Sequence, residues 1–226
     1  MKNNLNILYE DNHVIVVVKP ANVLSQGDST KDKDLHTMVK EYIKEKYNKP
    51  GNVYVGLVHR LDRPVGGVMV FAKSSKAASR LSEAIKSHNG FDKSYLAVVN
   101  GTLESKKGTF KDYLLKKEDG NTIVTDKAHG KESILNYEVL DEKDNLSLVK
   151  IDLVTGRHHQ IRVQFASRNH SLYGDARYGD NTGNTICLWA YKLSFIHPTL
   201  KEKKEFVYLP DVNNKAWNIF DLKSIN

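Results

Sequence analysis

The chain predicts an α+β fold: a single domain over residues 1–226, with a central mixed, mainly antiparallel β-sheet flanked by helices. Three observations carry this. Strand-like runs outnumber helical ones, neighbouring runs are joined by hairpin-length polar turns, and no shift in composition marks a linker.

The elements follow in order. Leu5–Tyr9 and Val14–Val18 are apolar runs joined at Glu10-Asp11-Asn12-His13, a turn composition. A polar loop spans Ser25–Lys33. Asp34 then precedes a helical pattern with Leu35, Val39, Tyr42 and Ile43 on one side, closed by Pro50-Gly51. Val53–Val58 and Val68–Ala72 are expected strands. Ser74 or Ser75 caps a helix whose apolar positions are Ala77, Ala78, Leu81, Ala84 and Ile85, and Asn89-Gly90 stops it. Tyr95–Val99 returns as strand. Residues 101–131 are the least legible part and read as a hairpin or a flexible rim. Ile134–Leu140 and Leu146–Leu153 are strands, joined by Asp141-Glu142-Lys143-Asp144-Asn145. Gly156 breaks the chain, His159–Arg168 reads as helix, and Ile186–Ile196 and Phe206–Leu209 as strands.

Composition bounds the function. A 40% apolar content supports a core, and a formal charge of +7 favours an anionic partner, nucleic acid first. The single cysteine, Cys187, lies in an apolar run and forms no internal disulfide, which fits a reducing cytoplasm. No secretory leader is read at Met1–Asn6, and no run approaches the roughly 18 apolar residues of a membrane span, so no membrane association is expected. Phosphate-loop, dinucleotide and nucleophile-elbow motifs are absent, as are H-E-x-x-H and paired C-x-x-C. His158 and His159 are adjacent, and side chains at adjacent helical positions point about 100° apart, so no metal is expected. The lysine runs at Lys106-Lys107, Lys116-Lys117 and Lys201–Lys204 read as solvated faces, with a place for one of them on the side of a nucleic-acid partner as the alternative.

The most informative stretch is His59-Arg60-Leu61-Asp62-Arg63-Pro64-Val65-Gly66-Gly67, ahead of the Val68–Ala72 strand. It reads as a loop delivering one carboxylate to the mouth of a sheet. The flanking arginines favour its ionised form, which suits nucleophilic or base work. Alone, such a loop is better explained by a surface ion pair in a turn. Its company decides: Val17-Val18-Lys19-Pro20-Ala21, Lys93–Gly101, Leu153–Val163 with Gly174-Asp175 and Tyr178-Gly179 behind it, and Leu193–Pro198.

With these five ordered motifs the chain resembles the RluA-type family of RNA pseudouridine synthases, from about Ile7 to Leu209. The resemblance implies the pseudouridine synthase fold and a short form without the N-terminal S4-type domain of many relatives. It also implies an isomerase converting uridine to pseudouridine in structured rRNA or tRNA, with no cofactor and no obligate protein partner. Asp62 matches the family's catalytic aspartate, Tyr95 its active-site tyrosine, and Arg162 the arginine that pairs with the aspartate. Two routes stay open for Asp62: attack at ribose C1′, or removal of a ribose proton to give a glycal.

Further expectations are less sharp. Arg60 fills the gap left by the extruded base or binds phosphate. Arg157, His159 and Gln160 meet the RNA backbone at a helix start, with capping or packing as the plainer reading. Lys19 and Lys73 are divided evenly between phosphate contact and solvation, and Leu188 is an apolar wall beneath the uracil or a core leucine. Gly66, His158 and Gln164 depart from the family's usual residues without removing an acid, tyrosine or arginine that the reaction needs. Two rivals remain: a degenerate synthase acting as an RNA-binding chaperone, and a glycosylase using Asp62 on a flipped base.

Overall fold

The computed structural model describes residues 5–179, 185–211 and 216–225. Eleven strands belong to one sheet, accompanied by three α-helices among the described residues, which is the α+β class expected. The chain divides into two compact units. One holds the residues up to Asp92 with Tyr191–Tyr208; the other holds Lys93–Ala190 with the residues from Leu209 onward.

In the first unit, β1 (Asn6–Glu10) and β2 (Val14–Lys19) form an antiparallel hairpin. Its turn is closed by Asp11, whose Oδ1 accepts the amides of His13 at 2.7 Å and Val14 at 2.8 Å. β2 pairs in turn with β4 (Gly66–Ala72). Every residue of β2 and β4 is buried, because both faces of these strands are covered. On one face Val14, Val16, Val68, Val70 and Ala72 meet Ala77 and Leu81 of α2 (Ser75–Lys86), with Phe91, Leu193 and Phe195. On the other, Phe71 stacks with His36 of α1 (Leu35–Lys46), ring centroids 6.1 Å apart. Both helices start as expected: Asp34 accepts the Thr37 amide, and Ser74 that of Ala77.

β3 is only Gly56–Leu57, shorter than the run Val53–Val58. The Val55 carbonyl is taken by the His36 ring at 2.8 Å and not by a ladder. Gly56 lets this segment lie against α2, since a Cβ there would stand 2.8 Å from that of Ala78. β11 (Lys203–Val207) pairs antiparallel with the end of β10 (Leu188–Ile196).

The second unit orders its strands β5 (Phe91–Asn100), β9 (Leu146–Leu153), β8 (Lys131–Lys143), β6 (Lys107–Lys116) and β7 (Thr122–Thr125). Every pair in this series is antiparallel. The segment 101–131 is thus a hairpin, the first of its two readings. Against it lies α3 (Gln160–Ala166), whose Phe165 meets Phe110 edge-on at 5.0 Å and Tyr137 at 5.9 Å. The helix begins one residue later than expected because His159 sits at φ 52, outside helical space, and it ends at Ala166.

Glu10 offers a test of stability. Its side chain is 7% exposed. It accepts from Tyr42 at 3.0 Å, Lys46 at 2.6 Å, Tyr47 at 2.8 Å and Lys73 at 2.7 Å. Burial pushes its pKa up, but hydrogen bonds from Lys46, Lys73, Tyr47 and Tyr42 outweigh it and bring the carboxyl from 4.5 to about 2. A lowered folded pKa stabilises above the unfolded value and is lost as pH falls from about 4.5 toward 2. Glu10→Gln is therefore expected to cost about 2–3 kcal/mol at pH 7. In urea melts the gap to wild type should narrow at pH 3; an unchanged gap would show that the ion pairing is not its source.

Candidate active site

In the first unit the loop between β3 and β4 is held from within by side chains that reach backbone atoms. Ser25 is buried; its hydroxyl donates to the Leu61 carbonyl at 2.7 Å and accepts the Leu61 amide at 3.1 Å. The residue before Asp62 is thereby fixed at both polar groups. The Val65 amide donates to the Asp62 carbonyl at 3.0 Å, closing a turn that contains Pro64. Gly67, at φ 130, takes a conformation that L side chains rarely adopt. His59 accepts the Val70 amide through Nε2 at 3.1 Å, so its ring carries a proton on Nδ1. Asp62 is left half-buried and Arg60 exposed, and no partner of the Arg60 guanidinium exists among the described residues.

Two expected phosphate contacts need correction. Lys19 is fully buried, and its ammonium donates to the carbonyls of Pro20, Val23 and Arg63. An ammonium has three donors, and all are engaged, so none is left for RNA. Burial pushes its pKa down to about 7, with the Asp62 carboxylate acting the other way and Arg63 adding to the fall. Lys19 is a buried cationic pin beneath the Asp62 loop. Lys73 is likewise engaged: its ammonium meets Glu10 at 2.7 Å and the Asp11 carbonyl, and its side chain is 9% exposed.

In the second unit Tyr95 lies on β5 opposite Ile151, buried to 7% exposure. Arg162 projects from α3 and is also buried. Asp175 takes it in a bidentate grip, Nε to Oδ2 at 2.8 Å and Nη2 to Oδ1 at 2.7 Å. The same Oδ1 accepts the amides of Arg177 at 3.0 Å and Tyr178 at 3.2 Å. Burial raises the Asp175 pKa, but Arg162 and these two amides hold the carboxyl below its ordinary range. The Tyr178 ring flanks the guanidinium at 5.1 Å. Its hydroxyl accepts the Thr122 amide at 2.9 Å and shares a 2.7 Å hydrogen bond with His159 Nδ1.

Asp175, Tyr178 and Thr122 were not assigned roles from the sequence. The first two lie in the Gly174-Asp175 and Tyr178-Gly179 motifs, which were the available signal. Thr122 comes from the segment that was hardest to read. Gln160 is a correction: its Oε1 accepts from Thr155 at 2.8 Å and the Arg157 amide at 2.9 Å, and its Nε2 donates to Ile134 at 3.1 Å. It is buried and ties the turn together, so it is not an RNA contact. The expected geometry of His158 and His159 also fails. With His159 in the left-handed region the two rings lie against each other, centroids 3.7 Å apart and tilted by 30°. Among the described residues no group of three or more His, Cys, Asp or Glu is placed to hold a metal ion. Arg157 is exposed, and among the described residues its guanidinium donates through Nε alone, to the Glu132 carbonyl at 3.0 Å. Leu188 opens β10 and is buried.

Residues 13–167 match the family model described as RNA pseudouridylate synthase. The chain is 34% identical over 203 residues to the uncharacterized RNA pseudouridine synthase YhcT of Bacillus subtilis, covering 88% of this chain and 66% of that protein. It is 36% identical over 205 residues to ribosomal large subunit pseudouridine synthase C of Escherichia coli, covering 85% of this chain and 62% of that protein. It thus spans slightly under two thirds of the length of these two relatives. The fold recurs in human RNA pseudouridylate synthase domain containing 4, with TM-score 0.76 at 21% identity over 91% of this chain and 88% of that one. Human RNA pseudouridylate synthase domain containing 1 gives 0.74 at 24% identity over 95% and 86%.

Proposed function

We propose that this chain, which belongs to the RluA-type family of RNA pseudouridine synthases, isomerises uridine to pseudouridine in structured rRNA or tRNA, residues 1–226 acting as one catalytic domain. The observation that carries this is the Asp62 loop. Its backbone is locked by Ser25 and Lys19, its carboxylate is half-buried, and an arginine without a protein partner among the described residues stands two positions away. Rigid support of that kind suits a reacting group.

In the reaction the bond from uracil N1 to ribose C1′ breaks and one from C5 to C1′ forms. C5 loses a proton and N1 gains one, so mass and redox state are unchanged and no cofactor is required. Asp62 serves at the ribose, as nucleophile at C1′ or as base toward a ribose proton. Tyr95 offers a ring on which uracil stacks and a hydroxyl for the C5 proton. Arg162 keeps the Asp62 carboxylate ionised, Leu188 walls the base, and Arg60 and Arg157, with His159, engage the extruded nucleotide and the RNA backbone. The site of action we propose is the cytoplasm, where the family's RNA substrates are found.

Mapping pseudouridines in cellular RNA with and without the gene tests the proposal. A map that does not change with the gene would count against activity. Product mass picks out a glycosylase, which removes the base; a chaperone leaves uridine as uridine, which nucleoside chromatography tells from pseudouridine of the same mass. Binding gives a separate test. A footprint of about 5 phosphates predicts log K against log[salt] with a slope of about −3.5 to −4.5. Arg60→Ala and Arg157→Ala should each make it shallower by about 0.7–0.9. A flat salt response in the wild type would contradict a backbone footprint.

A further inference from the structure

We infer that Lys93 is a receptor for a backbone phosphate beside the target uridine, a positioning residue for the proposed reaction that rests on that reading. Lys93 lies on β5 two positions before Tyr95, and alternate residues of a strand share a face. The two are about 7 Å apart along the strand. A nucleotide whose base lies on Tyr95 therefore brings its own backbone within reach of the lysine's long stem.

The ammonium is half-buried and makes no hydrogen bond or ion pair among the described residues. This is unusual company for a lysine here. Lys19 is fully buried and Lys73 half-buried, and the ammonium of each is held by carbonyls or a carboxylate. The adjacent Asp92 accepts from Ser194, and Asp152 on the neighbouring strand accepts from Ser94. A desolvated cation without a counter-ion is costly, and the cost is recovered when a ligand supplies the anion. Burial alone lowers its pKa, in keeping with that absence.

Gly156 completes the case. A Cβ at this position would stand 2.9 Å from the Lys93 ammonium, so the missing side chain keeps the approach open. The next residue, Arg157, is exposed, and its terminal amino groups make no hydrogen bond among the described residues. Two cations thus border one turn, and a phosphodiester is the anion that RNA provides.

Lys93→Met and Lys93→Arg test this with a pool of unmodified rRNA and tRNA transcripts. Lys93→Met keeps the apolar stem and loses the charge. It should fold with undiminished thermal stability, raise the half-saturating RNA concentration about tenfold, as for one lost charge-assisted hydrogen bond, and make the salt slope shallower by about 0.7–0.9. Its single-turnover rate at saturating RNA should fall much less than its affinity. Lys93→Arg should recover most of the affinity. Wild-type affinity and slope in Lys93→Met would overturn the inference, as would a loss of stability large enough to account for the binding defect. If the wild type forms no pseudouridine, the activity reading fails, and the salt slope still decides the role of Lys93.

Discussion

Asp62→Asn is expected to abolish pseudouridine formation while RNA affinity stays within about threefold of wild type, because phosphate contacts supply most of such affinity. The substitution keeps the side chain's shape and leaves the loop's supports in place. Ser25 grips the backbone of Leu61, Lys19 grips the carbonyl of Arg63, and the turn to Val65 uses the Asp62 carbonyl, so each of these hydrogen bonds is made to backbone and none to the carboxylate. What is lost is the charge, and with it both routes open to Asp62. An amide is neither a nucleophile for C1′ nor a base for a ribose proton. The measurement is tritium release from RNA carrying 5-tritiated uridine, alongside filter binding of the same RNA. Normal release by Asp62→Asn would remove Asp62 from the chemistry and with it most of the functional proposal. Loss of binding together with release would instead mean that the loop had rearranged.

The parts of this molecule that were legible in its sequence are those set by local pattern. The β1–β2 hairpin, α1 and α2 follow from apolar periodicity and from the caps Asp34 and Ser74, all within a few residues of one another. The Asp62 loop announces itself because proline, paired glycines and alternating charge are contiguous. Partners distant in sequence were not legible. Nothing in Val-Lys-Pro says that the chain beyond Lys19 folds back to place three carbonyls around its ammonium, and a lysine ending a strand ordinarily reaches water. Gln160 looked like a helix-start donor until the Thr155–Arg157 turn closed on it. His158 and His159 were expected to diverge on a helix, and a left-handed residue between loop and helix brings their rings together, tilted by 30°. The carboxylate that grips Arg162 stands thirteen positions further on, in a segment whose motif was visible and whose role was not.

That grip gives the largest expected effect on stability. Arg162→Ala should cost about 3–5 kcal/mol, because it leaves the Asp175 carboxylate buried without its counter-charge. The Asp175 side chain is wholly inaccessible and that of Arg162 is 7% exposed, so water replaces neither. The amides of Arg177 and Tyr178 still hold one carboxylate oxygen, which keeps the loss nearer the lower figure. Arg162→Lys should restore little, since an ammonium lacks the planar fork that meets both oxygens. The double variant Arg162→Ala with Asp175→Ala should lose less than the two single losses added, as residues in one buried network are coupled. Strict additivity in urea melts would mean that the pair contributes no coupling energy. The sign with pH follows from the lowered Asp175 pKa: the contribution is full above the ordinary carboxylate range and is lost as pH falls through the depressed value. Activity separates support from chemistry. Two of the guanidinium's five donors go to Asp175. If Arg162 also serves Asp62, Arg162→Ala should lose turnover even where it is folded, at low temperature, whereas Asp175→Asn should keep a measurable rate. Equal rates for the two folded variants would confine Arg162 to holding the second unit together.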